Sequence, residues 1–179
     1  MSLETLKKLL PPPKNPCKPG DEKGWRLLEH VLGTALPKDY KAFIGTYGTG
    51  GIDDFLWFLT PFEADENVNL LKRTQVLRDS YLELQQKHPD YYQHAFFPDE
   101  GGLMPWGYTD NGDELYWLTK GEPEEWPIVA YESRSSDYEV YHLTLTDFIA
   151  QIVSKEVVCE VFPDDFPAEA PEFISVDVE

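Results

Sequence analysis

The sequence predicts a single α+β domain, a curved and mostly antiparallel sheet of about five to six strands with flanking helices. Three observations lead there. Apolar residues recur at helical spacing in residues 21–47, 65–87 and 144–154. Short aromatic and β-branched runs, separated by turn residues, fill 96–143 instead. Asn111-Gly112 sits between two such runs, the strongest short-range hairpin signal. Segregated helices and strands indicate α+β, whereas strict alternation would indicate a parallel sheet.

Residues 2–10 fit a short amphipathic helix, with Ser2 as its cap and Leu3, Leu6, Leu9 and Leu10 on one face. Pro11, Pro12 and Pro13 stop it, and PPPKNPCKPG continues as an extended linker. An isolated helix so short is marginal in water, so the domain or a partner must hold it. From Asp21, Trp25, Leu28 and Leu32 form a stripe closed by Gly33. Pro37 suits the first position of the next helix, and Asp39 in its first turn favours the positive end of the dipole. Tyr40, Phe43, Ile44 and Tyr47 share one face of that helix. Gly48 is placed for a left-handed cap. Gly50 and Gly51 let the chain turn into one strand, Ile52 to Leu59, apolar on both faces beyond Asp54 and therefore central.

A long helix is expected from Asp65 to Lys87, with Leu70, Thr74, Leu77, Tyr81 and Leu84 inward. Lys72, Arg73, Arg78 and Lys87 occupy its other faces. Four strands then form a meander: Leu103–Tyr108, Glu114–Leu118, Ile128–Tyr131 and Tyr138–Leu143. Thr144 or Thr146 caps a last helix, in which Asp147 sits in the first turn and Leu145, Phe148, Ile149 and Ile152 face inward. Val157–Phe162 fits an edge strand, and the acidic segment beyond Pro163 is expected to be loosely held. The expected division is thus 1–20 for helix and linker, 21–162 for the domain, and 163–179 for the tail.

With 15 basic against 33 acidic residues, the net charge is −18. That balance repels nucleic acid and anionic membranes, whose recognition needs Lys and Arg. It suits a basic protein partner, although the same charge also serves solubility alone. No apolar run approaches the ~18 residues that a membrane helix requires. The start, MSLETLKKLLPPP, is too short and too charged for a secretory signal, so a cytoplasmic location is expected.

Signals for catalysis or metal binding are weak. Gly45 to Gly51 closes a helix and opens a strand, the reverse of a nucleotide loop. Asp110-Asn111-Gly112-Asp113-Glu114 lacks calcium-loop spacing and is explained as a hairpin tip. His30, His88, His94 and His142 show no ligand spacing, and no GxSxG turn occurs. Cys17 and Cys159 have no base nearby in sequence. No cofactor or metal is therefore expected. Trp57, Trp106, Trp117 and Trp126 are core candidates, of which Trp57, Trp117 and Trp126 become interface anchors if one edge is exposed. Asp53, Asp54, Asp110, Asp113, Glu114, Glu122, Glu124 and Glu125 lie near them in sequence. Together these residues are the candidate partner-binding set, an aromatic pocket rimmed with carboxylates.

The pattern LPxDYxxFxxxYGxGxI at Leu36–Ile52, followed by WGxTxxGDxxYW at Trp106–Trp117 and by LTLTDFIAQI, resembles the SUKH superfamily over residues 21–153. That superfamily includes bacterial immunity proteins and the yeast Smi/Knr-type cell-wall regulators. The resemblance implies a non-catalytic module, in bacteria typically one that neutralises a cognate toxin, many of which are nucleases. It gives structural roles to Leu36, Pro37, Tyr40, Phe43, Tyr47, Gly48, Gly50, Gly112 and Asp113. The leucine-rich start, the proline linker and the acidic tail exceed a minimal member. The alternative role is a regulatory scaffold of the Smi/Knr type.

Overall fold

A computed structural model describes residues 3–176. Its strands are Gly50–Ile52 (β1), Leu56–Phe58 (β2), Leu103–Thr109 (β3), Glu114–Leu118 (β4), Ile128–Tyr131 (β5), Tyr138–Tyr141 (β6) and Phe173–Ser175 (β7). They form one antiparallel sheet in the order β6-β5-β4-β3-β2-β1-β7. The helices are Leu3–Leu9 (α1), Glu22–Leu32 (α2), Lys38–Tyr47 (α3), Leu70–Lys87 (α4) and Leu145–Val153 (α5). The chain is α+β with flanking helices, and its sheet is wider than expected for two reasons.

First, the expected strand Ile52–Leu59 is two strands. Asp53 and Asp54 take φ of 54° and 52°, and the Phe55 N–H closes the turn on the Ile52 carbonyl at 3.0 Å. Aspartate tolerates this left-handed conformation better than most side chains. Second, the segment beyond Pro163 is not loosely held. It returns as β7, with Ile174 opposite Gly51. Phe173 packs on Phe43, Tyr47 and Phe58, and Phe166 packs on Phe55 and Phe162. A Cβ on Gly50 would sit 2.2 Å from the Ile174 carbonyl oxygen, so that glycine is needed for the approach of β7. Val157–Phe162, expected as an edge strand, is irregular chain that buries Cys159 and Phe162. The expected caps and termini at Ser2, Asp177 and Glu179 lie outside the described residues.

One face of the sheet carries the main core. Tyr40, Phe43, Ile44 and Tyr47 of α3 are fully buried there with Phe58, Trp106, Trp117 and Phe148. Burying one such aromatic contributes about 2–3 kcal/mol. The first twenty residues join this core. Leu6 and Leu10 are fully buried, and the Tyr47 hydroxyl donates to the Leu10 carbonyl at 2.7 Å. The linker is pinned by a Cys17–Gly48 bridge and by Lys18 against the buried Glu63 at 2.8 Å. Gly48 takes φ 71°, ψ −153°, outside the left-handed helical cap expected. Its Cβ would lie 2.3 Å from the Cys17 carbonyl oxygen.

Asp21 caps α2 and Gly33, at φ 75°, ends it. Pro37 sits just ahead of the first helical residue of α3 rather than on it. Asp39 reaches across to accept from the Thr146 N–H at the start of α5, at 2.9 Å, while Thr144 caps that helix. The fourth helix begins at Leu70, not Asp65. Asn69 accepts from the Lys72 N–H, and Asp65 instead holds the preceding turn through Asn67 N–H. This helix covers the second face of the sheet, over Phe96, Leu103, Tyr116, Val129 and Tyr131.

Candidate functional site

In a meander, alternate turns fall at the same end of the sheet. The β1–β2, β3–β4 and β5–β6 turns therefore converge. The Asp110 N–H donates to the Phe55 carbonyl at 2.9 Å. The Ser133 N–H donates to Asp113 Oδ1 at 2.9 Å, and the Ser133 hydroxyl to the Asn111 carbonyl at 3.1 Å. The C-terminal segment joins them, because Asp53 accepts from the Ala168 and Glu172 N–H groups at 3.0 and 2.8 Å. Asp54, Asp110, Asp137, Asp164, Asp165, Glu169 and Glu172 are exposed at this end. Arg134 is the one basic residue in residues 53–55, 110–113, 132–137 and 163–172. Carboxylates held together in this way create a local negative field.

Several residues of the candidate set serve the fold instead. Asp53 ties down the tail, as described. Asp113 is buried, with Oδ2 accepting from the Thr109 hydroxyl at 2.6 Å and Oδ1 from Ser133. Trp117 and Trp126 are core residues, 1% and 5% exposed, and Trp126 donates its indole N–H to the Gly121 carbonyl. They cannot act as surface anchors. Trp57 is half-buried across Gly51, where an added Cβ would come within 2.6 Å of the ring. Glu122, Glu124 and Glu125 are exposed around the 3-10 turn Pro123–Glu125. That turn joins β4 to β5, so it lies at the opposite end of the sheet, where Glu124 is 3.8 Å from Lys38. The set expected to form one rim is thus divided between two ends, with Asp54 and Asp110 on the acidic one.

Glu114 occupies a third environment. Cross-strand pairing aligns Trp57, Tyr108, Glu114, Tyr131 and Tyr138 in one row on the second face. Arg73 of α4 pairs with Glu114 Oε1 and lies over the Tyr108 ring, 5.6 Å from its centroid. Burial pushes the Glu114 carboxyl up to about 7, against the opposing pull of Arg73. Beside it, between α4 and the sheet, runs a groove of about 190 Å³ walled by Leu77, Tyr81, Leu84, Tyr92, Tyr116 and Tyr131. Glu132, Ser133 and Ser135 stand at its mouth. His94 packs edge-on against Tyr138 and Tyr131, with Nδ1 2.8 Å from the Tyr131 hydroxyl, and burial lowers its pKa.

Arg73, Tyr81 and Tyr131 were not among the candidates from sequence. Tyr81 lay in the expected stripe of α4, but nothing local tells which strand that stripe covers. Among the described residues, no three His, Cys, Asp or Glu side chains are grouped to hold a metal ion. Burial raises the Cys159 thiol to about 12, which leaves almost no thiolate at neutral pH. No helix of the described residues is long and apolar enough to cross a membrane.

A family model described as SUKH_6, SMI1-KNR4 cell-wall, matches residues 22–149. No curated protein and no solved structure gives a significant match.

Proposed function

The chain belongs to the SMI1-KNR4 cell-wall family SUKH_6, within the SUKH superfamily, and on that premise we propose that it is a non-catalytic protein-binding module. In this reading it acts in the cytoplasm as an immunity protein against a basic toxin, a nuclease being the class best suited to its charge. The observation that carries the reading is the acidic end of the sheet. Three hairpin tips and the returning tail place Asp54, Asp110, Asp164, Asp165, Glu169 and Glu172 together around a rigid frame. A nuclease presents a cationic, phosphate-binding cleft. A fixed carboxylate surface would speed encounter with that cleft and block it sterically once docked.

The test is co-expression with the toxin encoded beside this chain in its native genome. The wild-type chain is expected to restore growth. The triple variant Asp54→Lys, Asp110→Lys, Glu169→Lys is expected to lose protection while melting like the wild type. Continued killing in the presence of folded wild-type chain rejects the immunity role. The cell-wall wording of the family description favours a second reading, a regulatory scaffold. Recovery of housekeeping cell-wall enzymes, with no toxin in the native neighbourhood, would select it.

A further inference from the structure

The sheet has two edges, β7 and β6, and they are finished differently. The residues of β7 are half-buried, and the Val176 N–H just beyond it donates to the Thr49 carbonyl at 3.2 Å. On β6, Tyr138 and Val140 are 40% and 41% exposed. Hydrogen bonding in the hairpin fixes the direction of their backbone. The Glu132 N–H donates to the Asp137 carbonyl at 3.0 Å, one step outside the Tyr131–Tyr138 pair. Bonded and non-bonded pairs alternate in an antiparallel ladder, so Ala130–Glu139 and Ile128–Tyr141 are the bonded ones. The other side of β5 agrees, because the Leu118 N–H donates to the Pro127 carbonyl and so turns Val129 and Tyr131 toward β4. The N–H and C=O groups of Tyr138 and Val140 therefore point away from the sheet, into solvent. Among the described residues, no loop, helix or side chain pairs with those four groups.

We propose that the β6 edge accepts an extended basic segment of the protein partner as an added antiparallel strand. A strand joined to a sheet edge draws affinity from main-chain bonds and specificity from its alternate side chains. Those side chains would meet two different surfaces. On the second face they lie beside Tyr138 and Val140, which offer apolar surface. On the first face they lie beside Glu139, with exposed Asp137 before it in the chain. Exposed Glu160 is close by, since its N–H donates to Glu139 Oε2 at 2.9 Å. The occupant that fits both faces carries apolar residues opposite Tyr138 and Val140 and a Lys or Arg opposite Glu139, because opposite charges across a strand pair stabilise it. The same glutamate turns away a second copy of this chain. The antiparallel register that uses all four backbone groups sets Tyr138 against the second copy's Val140 and leaves Glu139 directly opposite its own counterpart. Like charges so placed repel, and each copy carries −18 besides. Charge on an edge strand is a recognised guard against self-pairing, and a basic strand alone removes the obstacle. The β5–β6 turn belongs to the acidic end, so a partner drawn to that end meets this edge. The inference rests on the reading of the chain as a protein-binding module, but it does not depend on the partner being a toxin.

The probe is the capped peptide Lys-Val-Lys-Val-Lys, titrated into the intact protein and followed by NMR. Saturable shifts are expected at the Tyr138 and Val140 amides, with a Kd of about 1 mM. A cross-strand contact between the Glu139 Hα and the central lysine Hα is expected as well, the signature of a non-bonded antiparallel pair. The same peptide methylated on both valine nitrogens keeps its charge but loses two main-chain donors, and is expected to bind about tenfold more weakly. The Asp-Val-Asp-Val-Asp peptide is expected to weaken by at least about tenfold, and Glu139→Lys to weaken the basic peptide about fivefold. Proline is tolerated on an edge strand where its nitrogen faces solvent, so Val140→Pro is expected to melt like the wild type and to lose about tenfold in binding. Should Val140→Pro fail to fold, the methylated peptide decides. Equal binding of the methylated peptide, absence of the Hα contact, or no saturation up to about 20 mM overturns the proposal. Concentration-dependent broadening at Tyr138 and Val140 without peptide would assign the edge to a second copy instead and overturn it too. Peptide pairing without protection from the neighbouring toxin would remove the immunity role and leave the edge site standing.

Discussion

The two faces of the sheet are built to different standards. On the α3 face, Phe43, Tyr47, Phe58, Trp106 and Phe148 interlock and every one is fully buried. The Tyr40 hydroxyl that enters this core donates to the Leu59 carbonyl at 2.7 Å, although the Trp106 indole N–H finds no partner. On the α4 face the layer is thinner and rich in tyrosine. A carboxylate is buried there with one oxygen unpaired, and Leu84, Tyr138 and Val140 stay exposed. Both faces leave a buried polar atom unpaired, but the second leaves more, with Glu114 Oε2, the Tyr81 hydroxyl and Arg73 Nε among them. Places where a fold breaks its own rules are where function is expected to reside.

This contrast can be broken at four points. Phe43→Ala should cost about 3–5 kcal/mol in urea unfolding, because the surrounding rings cannot collapse into the cavity. Leu77→Ala on the second face should cost about 1 kcal/mol, and equal losses would erase the distinction.

Glu114 gives the next largest effect, through pH. Its folded pKa of about 7 lies above the ordinary 4.5, so the folded state holds the proton more tightly than the unfolded state between those values. Stability therefore falls as pH rises through that window, and it is greatest below it. Glu114→Gln should remove about 3 kcal/mol of this dependence, measured as the difference from wild type across the window. Identical pH profiles would show that Glu114 titrates normally. The facing groups that shape its titration are Arg73, which opposes the shift, and Asp113, which adds to it.

Asp53→Ala should cost about 1–2 kcal/mol and speed amide exchange in β7, because it removes two acceptors for the returning segment. Unchanged protection of β7 would mean that Phe173 alone holds the strand. Tyr81→Phe should move stability by no more than about 0.5 kcal/mol, since the lost hydroxyl meets Tyr131 and His94 without closing a hydrogen bond of ordinary geometry. A clear destabilisation would assign that hydroxyl a structural partner.

Much of the first face was legible in the sequence. Asp21 and Gly33 bracket α2, the Tyr40-Phe43-Ile44-Tyr47 stripe marks the buried side of α3, and Asn111-Gly112 locates the β3–β4 hairpin. Each is a local signal between neighbours in the chain. The misses share the opposite character. The split between β1 and β2 depends on two aspartates adopting positive φ inside a run that otherwise looks continuous. The return of β7 pairs Gly51 with Ile174, and no local pattern anticipates so distant a partner. Asp65 and Asn69 are both good helix caps, and only the packing of 60–69 decides between them. The candidate site failed in the same way. Trp117 and Trp126 carry the same residue type as a surface anchor would, and only the fold tells that they are buried.

The most direct measurement is the association rate between this chain and the basic toxin proposed as its partner, followed by stopped flow as salt rises from about 50 to 500 mM, a range over which exposed charges become screened. The acidic end predicts that association slows by about tenfold or more while dissociation changes by less than about twofold, and that Asp54→Lys with Asp110→Lys removes most of this salt dependence. An association rate indifferent both to salt and to those substitutions would contradict it.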